Sequence, residues 1–304
     1  MGNIKTVLIT GGYGLIGRAL TQRLLAKGYE VRLLSRNPKS NDQVKAYRWD
    51  VDSNYIDTKA LDVDCIIHLA GENIAASRWT AQRKQAVIDS RVKSTALLYK
   101  ALMSLEKRPQ LFIAASATGY YGAVTNERIF TEDDPASNDF LGQTCIQWET
   151  AVDQVSQLNM RVVKLRTGVV LSARGGALEK MVMPVKLGIG SAIGSGKQYF
   201  PWIHLDDLCS MYIYAIENTS LNGAYNAVSP EFIDNRHFTK TLAKVLKRPF
   251  VFPAVPAFVL RLLFGELAVV LLEGSRVSAE KIQQAGFAFS FTNSTEALKD
   301  LLKK

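Results

Sequence analysis

Residues 7–17, Val-Leu-Ile-Thr-Gly-Gly-Tyr-Gly-Leu-Ile-Gly, constrain this chain more than any other stretch. An apolar strand runs straight into Gly11-x-x-Gly14-x-x-Gly17, and Leu15, Leu20, Leu24 and Leu25 then recur at helical spacing until Gly28. In such a strand–turn–helix unit the first glycine permits a tight turn. The second lets backbone N–H groups approach a pyrophosphate, and the third lets the helix pack on the strand with its positive end towards the phosphates. The pattern predicts a dinucleotide site contacted by Gly11, Tyr13, Gly14, Leu15, Ile16 and Gly17.

Strand and helix signals alternate as far as about residue 170, with strands expected at 5–10, 30–35, 46–49, 64–69, 111–116 and 161–167 and helices at 15–27, 80–105 and 140–158. This rhythm predicts an α/β fold, a doubly wound parallel sheet of the Rossmann type, with ligands at the carboxyl ends of the strands. Beyond it come a glycine-rich loop at 174–176, an apolar helix near 177–187, a second glycine-rich loop at 188–196, a helix near 205–217 and a strand near 223–227. The segment from 236 is mainly helical. Residues 1–230 are expected to form the nucleotide-binding domain, with substrate-side loops near 174–200, and residues 231–304 a smaller helical lobe over the crevice.

Composition fits a globular chain: of 304 residues, 47% are hydrophobic and 21% charged, enough to bury a sizeable core. The formal charge of +9 suits an anionic small ligand. Its basic residues are scattered, without a Lys/Arg block or an aromatic-studded basic strand, which argues against nucleic acid. Cys65, Cys145 and Cys209 lack metal-ligand spacing and read as buried thiols in a reducing compartment, and no metal is expected. The first strand begins at once, so a cytoplasmic location is expected. The apolar stretch 249–273 is interrupted by Pro253, Pro256, Arg261, Gly265 and Glu266 and falls short of the roughly 20 residues of a membrane span. It reads as two short helices that either close the small lobe or form a homodimer surface.

The second strand ends in Ser35-Arg36, with Lys39 nearby and no carboxylate for a ribose 2′-hydroxyl. An arginine there suits a 2′-phosphate, so the expected cofactor is NADP(H). The fourth expected strand ends His68-Leu69-Ala70-Gly71, small residues that let backbone approach the cofactor. His68 within that apolar strand reads as a core histidine. Arg91, on the next helix, either reaches the cofactor or joins a surface ion pair.

Taken together, Thr10–Gly17, His68–Gly71, Ser116-Ala-Thr-Gly-Tyr-Tyr-Gly122 and Trp202-Ile-His-Leu-Asp-Asp207 resemble the extended short-chain dehydrogenase/reductases. More narrowly, Gly71–Ile74, Ser90-Arg91, Trp148-Glu149, Arg166–Leu171, Pro201–His204, Arg248-Pro249, Leu272–Gly274 and Gly286-Phe287 are similar to the YfcH-like "epimerase family" proteins, over essentially the whole chain. The resemblance implies NADP(H) binding, with Ser35, Arg36, Leu69, Ala70, Arg91 and Val170 among the contacts.

The chain departs from that superfamily where protons move. Short-chain reductases commonly use Tyr-x-x-x-Lys, the lysine lowering the tyrosine pKa. Aligned on Glu149, those positions hold Leu141 and Cys145. Ser116 remains at a strand end where it would orient a reacting oxygen, and Tyr120 or Tyr121 is the expected proton donor; Tyr121-Gly122 also reads as a packed turn. Cys145 and Glu149 share a helix face, Glu149 as a structural carboxylate. Where nucleotide-sugar enzymes often carry an arginine that clamps the substrate pyrophosphate, this chain has Phe200, followed by Pro201. With Tyr199 and Trp202 alongside, either a flatter, apolar ligand or packing between lobes accounts for the aromatics. The expected function is an atypical NADP(H) oxidoreductase acting on an unidentified small carbonyl or hydroxyl compound. A non-catalytic NADP(H) sensor or scaffold is the alternative, and a nucleotide-sugar epimerase ranks lower.

Overall fold

The computed structural model describes residues 4–303. In chain order its elements are β1 (Thr6–Thr10), α1 (Leu15–Ala26), β2 (Glu30–Ser35), β3 (Val44–Asp50), β4 (Tyr55–Ile56), β5 (Cys65–His68), α2 (Ala81–Met103), β6 (Leu111–Ala117), β7 (Ile129–Phe130), α3 (Phe140–Asp153), β8 (Arg161–Thr167) and β9 (Val169–Leu171). There follow α4 (Ala177–Lys186), β10 (Trp202–His204), α5 (Leu205–Glu217), β11 (Gly223–Ala227), α6 (Asn235–Val245), α7 (Ala257–Phe264), α8 (Val269–Leu272), β12 (Arg276–Val277), α9 (Glu280–Gln284) and α10 (Ser294–Leu302).

Eight strands form one sheet in the order β11-β8-β6-β5-β1-β2-β3-β4, parallel throughout except for the short β3–β4 pair. Strand order reverses at β1, which lies between β2 and β5, so the crevice of a doubly wound sheet opens at the carboxyl ends of these three strands. Alternation along β1 shows why the strands are apolar on both faces. Val7 and Ile9 pack with Leu20 and Leu24 of α1 and with Leu208 and Tyr212 of α5. Leu8, pointing the other way, packs with Leu98 of α2 and Trp148 of α3.

A third core joins Leu178 and Val182 of α4 and Trp202 of β10 to Phe238 and Leu242 of α6 and Leu298 of α10. Two small parallel pairs, β9–β10 and β7–β12, stitch the later chain to the sheet. The stretch 249–273 contains α7, a 3₁₀ turn over Gly265–Ala268 and α8. Among the described residues, no helix is long and apolar enough to cross a membrane.

The expected long helices and central strands are present, with small shifts at their ends. The helix expected over 140–158 ends at Asp153 and continues as a 3₁₀ turn over Gln154–Leu158. The unforeseen strands β4, β7, β9, β10 and β12 are two or three residues long, too short to show periodicity.

Candidate functional site

The glycine turn is tight enough to exclude side chains. Gly11 has φ of +69°, and a Cβ there would lie 3.0 Å from the Leu69 carbonyl carbon. A Cβ on Gly17 would stand 2.5 Å from the Gly11 carbonyl oxygen and 2.6 Å from the Gly12 Cα. Gly14 N–H donates to the Gly11 carbonyl at 3.0 Å, and Gly14 itself enters α1 without a capping side chain. The first N–H groups of α1 therefore lie at a turn whose tip, Gly14, is exposed, the arrangement that receives a pyrophosphate. Loop 174–176 lies against this turn, since a Cβ on Gly176 would be 3.3 Å from the Leu15 side chain and 3.8 Å from the Val170 carbonyl oxygen.

Thr10 holds the other wall. Its hydroxyl accepts from the N–H groups of Leu69 and Ala70, each at 3.1 Å, and so has its proton left for His68 Nδ1 at 2.8 Å. His68 Nε2–H must then donate, and it faces the hydroxyls of Ser94 at 3.1 Å and Thr95 at 3.2 Å. Both hydroxyls donate in turn to the Arg91 carbonyl. Burial, followed by the nearby Arg91 charge, lowers the His68 pKa to about 3, so the ring is neutral. His68 is a core histidine that fastens β1, β5 and α2 together.

Of the expected cofactor contacts, Gly11, Tyr13, Gly14, Leu15, Ile16, Gly17, Leu69, Ala70, Gly71 and Val170 are placed at or beside the sheet's carboxyl edge by the turn and strand ends above. The Tyr13 hydroxyl donates to the Lys39 carbonyl at 3.0 Å and accepts from its N–H at 2.7 Å, tying the glycine turn to the loop after β2. Ser35 accepts from Asn37 N–H at 3.2 Å, while Arg36 is exposed. The Arg91 guanidinium lies 4.9 Å from the Trp148 ring and would be 3.4 Å from a Cβ on Gly71; burial lowers its pKa. Arg91 thus faces Gly71 rather than a surface carboxylate.

At the end of β6 the structure assembles a buried polar web. Ser116 Oγ donates to Glu149 Oε1 at 2.7 Å, and Arg166 grips the same carboxylate at two points, 2.8 and 3.0 Å. Lys164 approaches the other oxygen at 3.3 Å. Burial acts to raise the Glu149 pKa, but the Arg166 hydrogen bonds and charge, with Lys164 and Ser116, hold it below the usual range. Arg166 also donates to the Tyr121 hydroxyl at 3.0 Å, and that hydroxyl donates to Asn226 Oδ1 at 2.7 Å. Tyr121 is 1% exposed, and burial pushes its pKa up. Its side chain is a packed part of the turn.

Tyr120 differs. Its ring centre is 3.4 Å from the Arg166 guanidinium carbon, it is half-buried, and its hydroxyl has no protein partner among the described residues. Thr118 is likewise half-buried, and its hydroxyl has no protein partner among the described residues. Both flank Gly119, whose Cβ position would lie 3.4 Å from Leu141 and 3.9 Å from Cys145 Sγ. Cys145 is no nucleophile here: burial, then the Glu149 charge, raises its thiol to about 12. The three cysteines are buried thiols, and no metal-binding cluster occurs among the described residues.

Leu141 also lines a cleft of ≈ 680 Å³ between the starts of α2 and α3 and the α7–α8 segment. Trp79 and Phe140, in edge contact at 4.8 Å, and Ala268, Val269 and Leu272 supply its apolar walls; Lys84, Arg261, Asp139 and Glu273 add charge. The aromatics expected to shape a ligand site lie elsewhere. Phe200 packs at a tilt on Phe238, ring centres 4.4 Å apart, Trp202 is fully buried with its indole N–H on Glu231, and Tyr199 donates to Glu127. Each is taken up by packing or by a side chain from a distant segment. His204 caps α5 by accepting from Asp206 N–H at 3.0 Å, leaving Asp206 and Asp207 as first-turn acids.

Fold and site together define a dinucleotide-binding protein of the extended short-chain dehydrogenase type. Residues 7–227 match the NAD dependent epimerase/dehydratase family, and residues 255–301 match a domain of unknown function, DUF1731. The chain belongs to this epimerase/dehydratase family. It is 38% identical to mouse epimerase family protein SDR39U1, covering 97% of this chain and 99% of that one. Bacillus subtilis epimerase family protein YfhF is 34% identical, with 97% of each chain covered. Among solved structures, human SDR39U1 (isoform 2), crystallised with NADPH, superposes with a TM-score of 0.87 at 34% identity, covering 98% of this chain and 99% of that one. A Corynebacterium glutamicum nucleoside-diphosphate sugar epimerase is 31% identical with a TM-score of 0.79; 98% of this chain matches 58% of that larger one.

Proposed function

We propose that this chain is an NADP(H)-dependent oxidoreductase acting on a small, largely apolar carbonyl or hydroxyl compound without a Tyr-x-x-x-Lys pair. The observation that carries the reading is a pair of hydroxyls, on Thr118 and Tyr120, without a protein partner among the described residues; they flank Gly119, whose Cβ position would lie 3.4 Å from Leu141, a residue of the mainly apolar cleft. The glycine turn fits a pyrophosphate because a Cβ would fill its cradle. Ser35 and Arg36 would hold the 2′-phosphate, and Arg91 with Leu69, Ala70, Gly71 and Val170 would line the crevice. NADPH in the human relative supports this cofactor choice.

When bound, the nicotinamide supplies or accepts the hydride. Tyr120 would exchange the proton at the substrate oxygen through its free hydroxyl, and Thr118 would orient that oxygen. Ser116 gives its proton to Glu149, so towards a substrate it offers only lone pairs; it acts by fixing Glu149 and, through it, Arg166 beneath Tyr120. Trp79 and Phe140 would exclude water from the cleft. Residues 1–230 would carry the cofactor, and the α7–α8 segment of residues 231–304 would close the substrate side. A nucleotide sugar fits poorly, because the position of the pyrophosphate-clamping arginine is Phe200, half-buried and packed against Phe238.

A second reading, a non-catalytic NADP(H) sensor, draws on Leu141 and Cys145, which supply neither a phenol nor a cation where short-chain reductases commonly have both. Loss of NADPH absorbance against a panel of small ketones, aldehydes and quinones decides between them. The oxidoreductase reading expects turnover that Tyr120→Phe abolishes. Tight NADPH binding with no turnover on any carbonyl would favour the sensor.

A further inference from the structure

Helix α7 is built from Ala-Phe-Val-Leu-Arg-Leu-Leu-Phe, yet Leu260 is its only buried residue. Phe258 and Leu262, one turn apart on the same face, are 71% and 73% exposed, and Leu263 is exposed beside them. The chain leading to α7 adds Val251, 77% exposed, and Phe252. The loop after α4 joins this strip: Leu187 is 72% exposed and Ile189 is exposed, and the loop's continuation is hydrogen-bonded to the α7 approach through Ala192, Gly194 and Val255. The α7 backbone is not loose, since Arg78 donates to the carbonyls of Leu262 and Leu263 at 2.7 and 2.8 Å and fixes its carboxyl end. An apolar strip this continuous is a contact surface rather than ordinary scatter.

Charge identifies the contact. No Asp or Glu occurs between Glu179 and Asp206, or between Asp234 and Glu266. Those same stretches carry Lys180, Lys186, Lys244, Lys247, Arg248 and Arg261, all exposed and none ion-paired among the described residues. Glu266, the acid that ends the second stretch, is already paired with Lys84. Exposed aromatic and aliphatic side chains, in stretches of chain that carry unpaired cations and no internal acid, match the interface of an anionic bilayer, where apolar groups enter the acyl boundary and cations meet phosphates. We propose that the α7 face, with the loop after α4, docks peripherally on an anionic membrane surface. The attachment lies on the surface without spanning it, consistent with the shortness of α7. It uses exposed side chains of a helix whose Arg261 also lines the cleft, but it does not depend on the chemistry proposed there.

The test is sedimentation of the full chain with phosphatidylcholine vesicles and with vesicles that also contain phosphatidylglycerol, at low and high salt. Docking requires binding to the anionic vesicles only, weakened by salt. Lys247→Ala with Arg248→Ala should lower that affinity about thirtyfold, from roughly two lost cation–surface contacts. Phe258→Glu with Leu262→Glu should abolish binding while far-UV circular dichroism and the melting transition stay as in the parent. Absence of binding, or equal binding to neutral and anionic vesicles, would overturn the proposal. So would a solution dimer that the Phe258→Glu, Leu262→Glu variant dissociates, which would make this face an interface between copies of the chain.

Discussion

The guanidinium carbon of Arg166 lies 3.4 Å from the centre of the Tyr120 ring. The same group closes a two-point ion pair with the buried Glu149. One side chain thereby links the packed interior of β8 and α3 to the half-buried phenol offered as proton donor, so the position of Tyr120 is set from beneath. Tyr121, adjacent in sequence, has its hydroxyl consumed by Arg166 and Asn226.

Neighbouring tyrosines should therefore fail differently. Tyr120→Phe is expected to lower kcat by about 100-fold or more with the NADPH dissociation constant unchanged, the loss typical of a removed general acid. Tyr121→Phe leaves Asn226 Oδ1 without its donor and should cost about 1–3 kcal/mol of stability. Turnover and denaturant unfolding on the two variants separate the roles.

Glu149→Gln leaves Arg166 and Lys164 facing a neutral amide inside the protein. Breaking a buried pair of this kind should cost about 3–5 kcal/mol, read as a drop in the urea midpoint. The parent carboxylate has a lowered pKa, so its contribution is complete above the unfolded value of about 4.3 and is lost as pH falls through the folded value. Unfolding followed below pH 4.3 should show an acid-dependent loss in the parent that the variant lacks.

His68 acts in a higher pH window. The folded ring titrates at about 3, while the unfolded ring takes a proton below about 6.5. The unfolded state thus binds more protons between those values, and stability drops as pH is lowered through them, by up to about 1.4 kcal/mol per unit. His68→Gln should flatten the slope between pH 6 and 4.5. The buried His204, also lowered by burial, leaves a residual slope.

Gly17→Ala forces a Cβ to within 2.5 Å of the Gly11 carbonyl oxygen, so the turn or α1 must shift. NADPH binding should fall by more than tenfold, because phosphate contacts depend on that backbone. Gly28→Ala supplies the comparison: its φ is +85°, nothing lies within 4 Å, and the cost should be about 1 kcal/mol of stability with cofactor affinity retained. Isothermal titration and thermal melting on both variants check this.

The glycine turn at the head of the doubly wound sheet was legible because glycine spacing and strand apolarity each follow from local chemistry. The same holds for His68, whose apolar setting announced a core role. The proton-transfer half was not. Ser116 and Thr118 are two residues apart in one short run, and only the long-range contact with Glu149 shows which hydroxyl is committed. Tyr199, Phe200 and Trp202 looked equally suited to a ligand wall, but their partners Glu127, Phe238 and Glu231 come from distant segments that pattern alone cannot bring together. The apolar cleft was missed for the same reason: Trp79 and Phe140 meet Val269 and Leu272 only through tertiary folding.

The proposed reaction depends first on the cofactor, so the decisive measurement is a fluorescence titration of the parent chain and Arg36→Ala with NADPH and NADH. Tight NADPH binding, weaker NADH binding, and a loss of at least about tenfold for NADPH alone in the variant are expected from removal of a charge-assisted phosphate contact. Equal, weak binding of both nucleotides, unchanged by Arg36→Ala, would contradict the NADP(H) assignment and the oxidoreductase built on it.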